Sequence, residues 1–244
     1  MSYPSLRTSL IFCVIAALTL TGCSEDQKKS TPTSSTPKPG ATTAPPSYTV
    51  AKIKSALLAP KEMGKDVSEI DVALTSLKER KAPMCSLSSA KLSGSPDVAV
   101  RQFKNSERGG DEIKYGQLFA RYESPADAST AYTALKATAQ KCPAKKHVPQ
   151  KKIRKNFVLL SHDDTWQVSD EKLGEWEHFR GLEKHTEPSS QTKFNVYHFM
   201  YDYALSGNLV VSTLYWERTA PGKSADPIAQ RATKLLKKQL QKLG

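Results

Sequence analysis

Apolar and polar residues alternate through much of the second half of the chain. Because successive side chains on a strand point to opposite faces, this alternation indicates half-buried strands. The predicted strands cover residues 98–103, 117–122, 157–160, 176–182, 194–205 and 209–216. The last two flank Ser206-Gly207-Asn208, a turn sequence typical of a hairpin. The two faces of 194–205 carry different residues: Val196, His198, Met200 and Asp202 on one, and Tyr197, Phe199, Tyr201 and Tyr203 on the other.

Three other segments show helical spacing. Apolar residues recur at helical intervals over 50–58, before Pro60. A second helix is predicted after Ser124, because a serine cap followed by proline favours a helix start. A third, amphipathic helix is predicted from Asp226-Pro227 onward. We therefore predict an α+β fold, an antiparallel sheet with flanking helices, forming a single domain over residues 49–244.

The first 22 residues have the features of a bacterial signal peptide. Arg7 precedes an apolar run over residues 10–20, about half of the roughly 20 residues that a membrane span needs. Leu20-Thr21-Gly22-Cys23 then resembles the bacterial lipobox, whose cysteine is lipidated before cleavage. We expect a lipoprotein anchored through Cys23 to the bacterial cell membrane on its extracytoplasmic face. An ordinary secretory signal with an incidental cysteine is the alternative.

Residues 23–48 are predicted to form a disordered tether. Residues 24–48 contain five Ser, five Thr and five Pro, with no large apolar residue before Tyr48. Such a composition cannot bury enough apolar surface to offset the entropy lost on ordering. Fully extended, the segment would hold the domain about 75 Å from the membrane.

The cysteines predict one disulfide. Cys13 lies in the predicted signal peptide and Cys23 in the lipobox, which leaves Cys85 and Cys142 of the four cysteines. A remaining pair in an exported chain forms a disulfide most simply, although two free thiols are the alternative. Closing a loop of this length would stabilise the fold by about 4 kcal/mol.

The order of motifs resembles a known family. Leu57-Leu58-Ala59-Pro60 ends a short helix, and Cys85 follows. A strand then leads into a helix that begins with the Pro-Ala-Asp-Ala-x-x-Ala-type motif of residues 125–131 and ends at Cys142-Pro143. This order is similar to that of actinobacterial lipoproteins resembling the extracytoplasmic sensor domain of the mycobacterial receptor kinase H. The resemblance covers residues 49–244. It implies a domain with a cleft for a small ligand or an envelope component, and without catalysis. The kinase sensor carries two disulfides, whereas this chain retains one cysteine pair.

The formal net charge of +12 is partly concentrated in one segment. Residues 141–155 contain six Lys and one Arg. The candidate anion-binding residues are Lys145, Lys146, Lys151, Lys152, Arg154 and Lys155. Phosphate-bearing wall polymer and lipid headgroups are the matching partners, and a solvated basic loop is the alternative. No aromatic residues are interleaved here, and an exported chain is a poor candidate for binding nucleic acid.

Motifs for catalysis and metal binding are weak. None of the five histidines pairs at i, i+4, and His162-Asp163-Asp164 is the tightest local cluster. GxSxG is absent, and Ser88 with Lys91 matches SxxK without its companion motifs. We therefore predict no metal site, no cofactor and no enzymatic activity.

Aromatic residues are concentrated in the late strands. If a cleft is present, its candidate lining residues are Trp176, Tyr197, Tyr201, Tyr215 and Trp216, because such rings combine apolar area with a polar tip. Core packing is the alternative. The sequence thus predicts a lipid-anchored, non-catalytic domain that binds an envelope ligand or partner. An accessory protein that binds anionic wall polymer or headgroups is the second hypothesis.

Overall fold

A computed structural model of the chain describes residues 44–105, 113–155, 157–190 and 193–244. The predicted signal peptide, Cys23 and the predicted tether up to residue 43 lie outside the described residues. The helices are α1 (Val50–Ala56), α2 (Pro60–Met63), α3 (Thr75–Lys78), α4 (Pro125–Gln140) and α5 (Asp226–Leu243). The strands are β1 (Val67–Ile70), β2 (Ala82–Met84), β3 (Ser88–Ala90), β4 (Asp97–Asn105), β5 (Ile113–Arg121), β6 (Lys145–Val148), β7 (Lys151–Arg154), β8 (Phe157–Leu159), β9 (His162–Leu173), β10 (Trp176–Thr186), β11 (Val196–Ser206) and β12 (Leu209–Thr219).

Eight strands form one antiparallel sheet in the order β1-β4-β5-β12-β11-β10-β9-β6. Two small two-stranded sheets, β2-β3 and β7-β8, stand apart from it. The predicted fold class, an antiparallel sheet with flanking helices, is confirmed. Of the helices in the described part of the chain, none combines the length and the hydropathy that crossing a bilayer requires.

The sheet is covered on both faces. On one face α4, α3 and the β2-β3 hairpin pack over a core that includes Phe179, Tyr201 and Tyr203. On the other face α1 and α5 cover residues such as Phe119 and Met200. The predicted division of β11 into two faces is confirmed, and it lets one strand contribute to both cores.

The predicted start of α4 is confirmed in detail. The Ser124 hydroxyl accepts the backbone N–H of Asp127, and Pro125 occupies the first helical position. At the far end of α4, Trp166 of β9 donates its indole N–H to the carbonyl of Ala139 at 2.9 Å. The same indole lies over Gly181, where an added Cβ would be 2.0 Å from the ring. Gly181 therefore allows the ring to seat against the sheet and secure the end of the helix.

Packing begins at Tyr48, the last residue of the predicted tether. Its side chain is 1% exposed and stacks near Trp176, with ring centroids 5.6 Å apart. The predicted turn between β11 and β12 is confirmed. The backbone N–H of Tyr48 donates to the side-chain oxygen of Asn208 in that turn. Gly207 of that turn has φ +50°, and a Cβ there would overlap the carbonyl oxygen of Pro46. The β11-β12 turn thus holds the entrance of the chain into the domain.

The long strand β9 was not predicted. Its outward positions are polar because it lies near the sheet edge, and two of its buried positions are His162 and Asp164. Because these inward-facing residues are polar, this part of β9 lacks the alternation of apolar and polar residues by which a strand is recognised in a sequence.

Candidate functional site

A cleft of about 430 Å³ opens on the α4 face of the sheet, toward one end of β9–β12. Its lining consists of an aromatic wall (Tyr197, Phe199, Trp216), a polar floor (His162, Asp164, Glu183, His185, Glu187), an aliphatic rim (Leu74, Leu87, Val148, Leu159), and Ser86 and Lys146. This size is sufficient for a small organic ligand.

The aromatic wall follows directly from strand pairing. Tyr197 and Phe199 are two residues apart on β11, so they share a face, and Trp216 of β12 is the register partner of Phe199. The centroids of Phe199 and Trp216 lie 5.4 Å apart with planes at 29°. Lys114 and Arg218 place their cationic groups 4.2 and 4.8 Å from the rings of Trp216 and Tyr197, respectively. The three rings therefore contact one another and form one contiguous aromatic surface.

The polar floor depends on the register of β9 with β10. That register pairs Asp164 with His185, and His185 Nδ1 lies 2.8 Å from Asp164 Oδ1. His162, two residues before Asp164 and on the same face, places its Nε2 3.8 Å from Asp164 Oδ2. The two imidazole rings are 4.1 Å apart. His162 Nδ1 hydrogen-bonds to the carbonyl of Leu160 at 2.8 Å, which fixes the orientation of the ring.

Glu183 occupies the deepest part of the floor and is 2% exposed. Its carboxylate accepts the backbone N–H of Ser86, at 2.9 Å to one oxygen, and the Tyr201 hydroxyl at 2.8 Å. The Leu87 N–H in turn donates to Tyr201. Ser86 and Leu87 have φ of 52° and 53°, a left-handed backbone that non-glycine residues rarely adopt. Strained backbone of this kind persists only where its surroundings hold it, and it occurs most often at functional sites.

The predicted disulfide is confirmed, and it holds this turn. Cys85 and Cys142 are joined, with a Cα–Cα distance of 6.3 Å. Cys142 follows the end of α4, and Cys85 directly precedes Ser86. The disulfide therefore connects the helix covering the sheet to the turn over Glu183.

Electrostatics in the floor favour neutral groups. Burial raises the pKa of Glu183 to about 6, the charge of Asp164 adds to the rise, and the hydrogen bonds from Tyr201 and Ser86 oppose it. Burial also lowers the pKa of His185; the neighbouring charge of His162 adds to this and that of Asp164 opposes it. His185 is consequently neutral near pH 7 and can accept as well as donate a hydrogen bond.

The structure divides the predicted lining residues between the two faces. Tyr197 and Trp216 line the cleft, and Tyr201 lies fully buried beneath it. Trp176 packs against Tyr48 on the α5 face, and Tyr215 hydrogen-bonds to Glu217 on that same face. Tyr215 and Trp216 are adjacent on β12 and therefore point to opposite faces of the sheet.

The predicted basic residues lie on and next to the short strands β6 and β7. Lys145 and Lys146 belong to β6, Lys151, Lys152 and Arg154 to β7, and Lys155 follows β7; all six are exposed. Lys146 also lines the cleft.

The SxxK match does not form a nucleophile–amine pair. Ser88 is the first residue of β3 and Lys91 follows that strand, so the helical spacing that would bring the amine to the hydroxyl is absent. The Ser88 hydroxyl instead donates to the carbonyl of Cys85 at 2.6 Å.

Sequence reasoning missed Glu183, His185 and Glu187. A usable signal was present, because Gly174, with φ +66°, supports a two-residue turn between Leu173 and Trp176. Counting nine residues outward from each side of that turn pairs Asp164 with His185. Because β9 was not predicted as a strand, its register with β10 could not be counted from the sequence.

No protein-family model and no curated protein matches the chain. Among solved structures, the chain is similar to the extracellular domain of PknH from Mycobacterium tuberculosis, with 11% identity and a TM-score of 0.49, over 80% of this chain and 98% of that chain. It is also similar to the Rv0999 ortholog from Mycobacterium smegmatis, with 11% identity and a TM-score of 0.37, over 81% and 98% of the two chains. The first is the domain that the sequence motifs resemble, and that predicted resemblance is confirmed. Neither likeness identifies what this chain binds.

Proposed function

We propose that the chain is a non-catalytic envelope lipoprotein whose domain binds a small ligand in the cleft. The observation that carries this proposal is the arrangement of the lining: three aromatic rings face a buried floor of histidines and carboxylates. A ligand with a flat apolar body and a polar, hydrogen-bonding end fits this division. A sensor-like role agrees with the resemblance found in the sequence.

Rigidity of the floor supports binding. Asp164 is held by His185 and by the Ser86 hydroxyl at 3.2 Å, and Glu183 is held by Tyr201 and the turn. The disulfide secures that turn from α4. Polar groups that are ordered before the ligand arrives lose less entropy on binding, which favours affinity.

Membrane attachment is the second part of the proposal. Lipidation at Cys23 would anchor the domain, and the segment up to residue 48 would serve as its tether. Expressed in a bacterial host, the wild-type chain should partition into detergent on phase separation, and Cys23→Ser should remain in the aqueous phase. Equal partitioning of the two would contradict lipid anchoring at this residue.

The cleft is tested by native mass spectrometry of the chain purified after export, together with titration of the fluorescent probe anilinonaphthalene sulfonate. We expect the wild type to carry a co-purified molecule or to bind the probe saturably. Tyr197→Ala should lose the co-purified molecule or bind the probe at least tenfold more weakly. The matched control is Ile153→Ala, which removes an exposed apolar side chain of β7 outside the cleft. Absence of both signals in the wild type, or equal losses in the two variants, would contradict a binding cleft.

A second candidate function rests on the exposed basic residues of β6 and β7. Anionic wall polymer or headgroups could bind there through charge alone, so binding should weaken as salt rises. The triple change of Lys151, Lys152 and Lys155 to Glu should abolish sedimentation with phosphatidylglycerol vesicles in low salt. The same change at the exposed residues Lys54, Lys78 and Lys91 is the control. Equal losses in both triple variants would indicate a nonspecific effect of net charge.

A further inference from the structure

The polar floor contains a set of metal ligands. His162, Asp164 and His185 each offer one ligand atom, and these atoms lie within 4.8 Å of one another. We propose that these three residues bind a divalent first-row metal ion, with Zn²⁺ as the best match. This proposal depends on the floor alone and does not require the ligand of the cleft.

The donor set carries the choice of metal. Two imidazoles and one carboxylate suit Zn²⁺, and three protein ligands leave a fourth position for water or for a group on a ligand. Ligand atoms around tetrahedral zinc are about 3.4 Å apart, so the widest separation in the cluster must contract by up to about 1.4 Å. His162 Nε2 is already 3.8 Å from Asp164 Oδ2, so the contraction requires small shifts of the His162 and His185 side chains that keep the bond from His162 to Leu160.

One second-shell hydrogen bond is already in place, and a carboxylate lies close enough to form the second. The bond from His162 Nδ1 to the Leu160 carbonyl leaves Nε2 as the ligand atom. His185 directs Nδ1 toward Asp164, and its Nε2 lies 3.7 Å from Glu187 Oε1. Metal-bound histidines usually donate their other N–H to a carbonyl or carboxylate in this way, which fixes the ring and raises its basicity.

Charge in the floor also favours a cation. Asp164 is 5% exposed, and in the described part of the chain its hydrogen-bond and ion-pair partners are Ser86, His162 and His185. Lys146, its register partner on β6, also lines the cleft but is exposed. The carboxyl groups of Glu183 and Glu187 line the same cleft. A buried carboxylate is costly unless it is paired or coordinates a metal.

The neighbouring strands provide a control pair. His147 of β6 and Asp163 of β9 lie 2.7 Å apart, but their side chains are 62% and 73% exposed. The pair has a similar contact without the burial and without a second histidine. Its removal should leave a metal site at Asp164 intact.

The test is zinc titration of the chain purified after export, free of any histidine tag and treated with chelator. Isothermal calorimetry should show one saturable Zn²⁺ site, weakened at least tenfold by His162→Gln and by Asp164→Asn, and unchanged by His147→Gln. Co²⁺ should give a tetrahedral absorption spectrum in the wild type and not in His162→Gln. Circular dichroism of each variant establishes that it is folded.

Three outcomes would overturn the proposal: no saturable zinc binding by the wild type, wild-type affinity in His162→Gln, or an equal loss in His147→Gln. Each would leave the cluster as a hydrogen-bonded structural feature. Trp216→Ala removes a ring of the aromatic wall that packs on Phe199 and Tyr197 rather than on a proposed zinc ligand, and it should bind zinc normally. Failure of the metal site and failure of the ligand cleft are therefore distinguishable.

Discussion

Two buried clusters of aspartate and histidine lie on opposite faces of the same sheet. On the α5 face, Asp202 bonds to His178 at 2.8 Å and to Arg180 at 2.6 Å. On the cleft face, Asp164 bonds to His185 at 2.8 Å. Both aspartates are nearly inaccessible, at 1% and 5% exposed. The clusters differ in what balances the negative charge.

In the first cluster, Arg180 balances the negative charge of Asp202. Its Nε and Nη2 contact both carboxylate oxygens of Asp202, and its Nη1 donates to the Ala229 carbonyl of α5. Burial alone would raise the pKa of Asp202, but the hydrogen bond from His178 and the charge and hydrogen bonds of Arg180 lower it. The charge is therefore compensated within the fold. Among the described residues, Asp164 hydrogen-bonds to no arginine or lysine, although Lys146 is its register partner on β6. This difference is the reason that the proposed metal site is placed at Asp164 and not at Asp202.

The largest expected effect on stability comes from Arg180→Met, which removes the cation paired with Asp202. Removing one partner of a buried pair leaves a charge uncompensated, and we expect a loss of about 3–5 kcal/mol in the free energy of unfolding. Urea denaturation measures it. Lys136→Met breaks the exposed pair with Asp170, 2.8 Å apart, and should cost less than about 1 kcal/mol. Equal costs would contradict the contrast between buried and exposed pairs.

The next largest effect on stability is expected from loss of the disulfide, which holds the turn over Glu183. Cys85→Ser and Cys142→Ser should each cost about 2–4 kcal/mol, because the 57-residue separation is released in the unfolded chain. The double variant should add little to either single change. Thermal unfolding of all three variants tests this expectation. Unequal and additive losses would mean that the cysteines contribute separately.

A smaller effect depends on pH and concerns Glu183. Its pKa is raised from 4.5 to about 6 in the folded protein, so the folded state holds this proton more tightly than the unfolded state. The resulting stability is full below pH 4.5 and is lost as pH rises through 6. Glu183→Gln removes this titration and should gain about 2 kcal/mol relative to wild type between pH 4 and pH 7.5.

Urea denaturation at pH 4, 6 and 7.5 measures this gain. The control is Glu79→Gln, which alters an exposed carboxylate paired with Lys81 and should show no such gain. A constant difference between Glu183→Gln and wild type across the pH range would contradict the raised pKa.

The smallest expected effect on stability comes from Asp164→Asn in metal-free protein. Asparagine retains an acceptor for its neighbours, and loss of the charge relieves the repulsion that raises the pKa of Glu183. We expect a change below about 1 kcal/mol. Asp202→Asn should cost several times more, because it leaves Arg180 buried without its anion. Urea denaturation in chelator compares the two, and equal costs would show that both clusters are structural.

Predictions from the sequence succeeded where local rules apply. The hairpin at Gly207, the helix start at Ser124 and the facing of β11 each depend on residues close together in the chain. The disulfide could be predicted because elimination left one pair. The floor escaped prediction because Ser86, Asp164 and Glu183 come from three separate segments, and their contacts depend on register and on a strained turn.

The sequence by itself thus determined the β11-β12 hairpin, the start of α4, the cysteine pair and the basic segment, because each depends on neighbouring residues or on composition. Only the tertiary structure decided which aspartate meets an arginine and which meets two histidines. Both aspartates occupy buried strand positions, and both have a histidine on the adjacent strand β10. The partners that each aspartate contacts depend on the register of β10 with β9 and with β11, and on what packs over each face of the sheet.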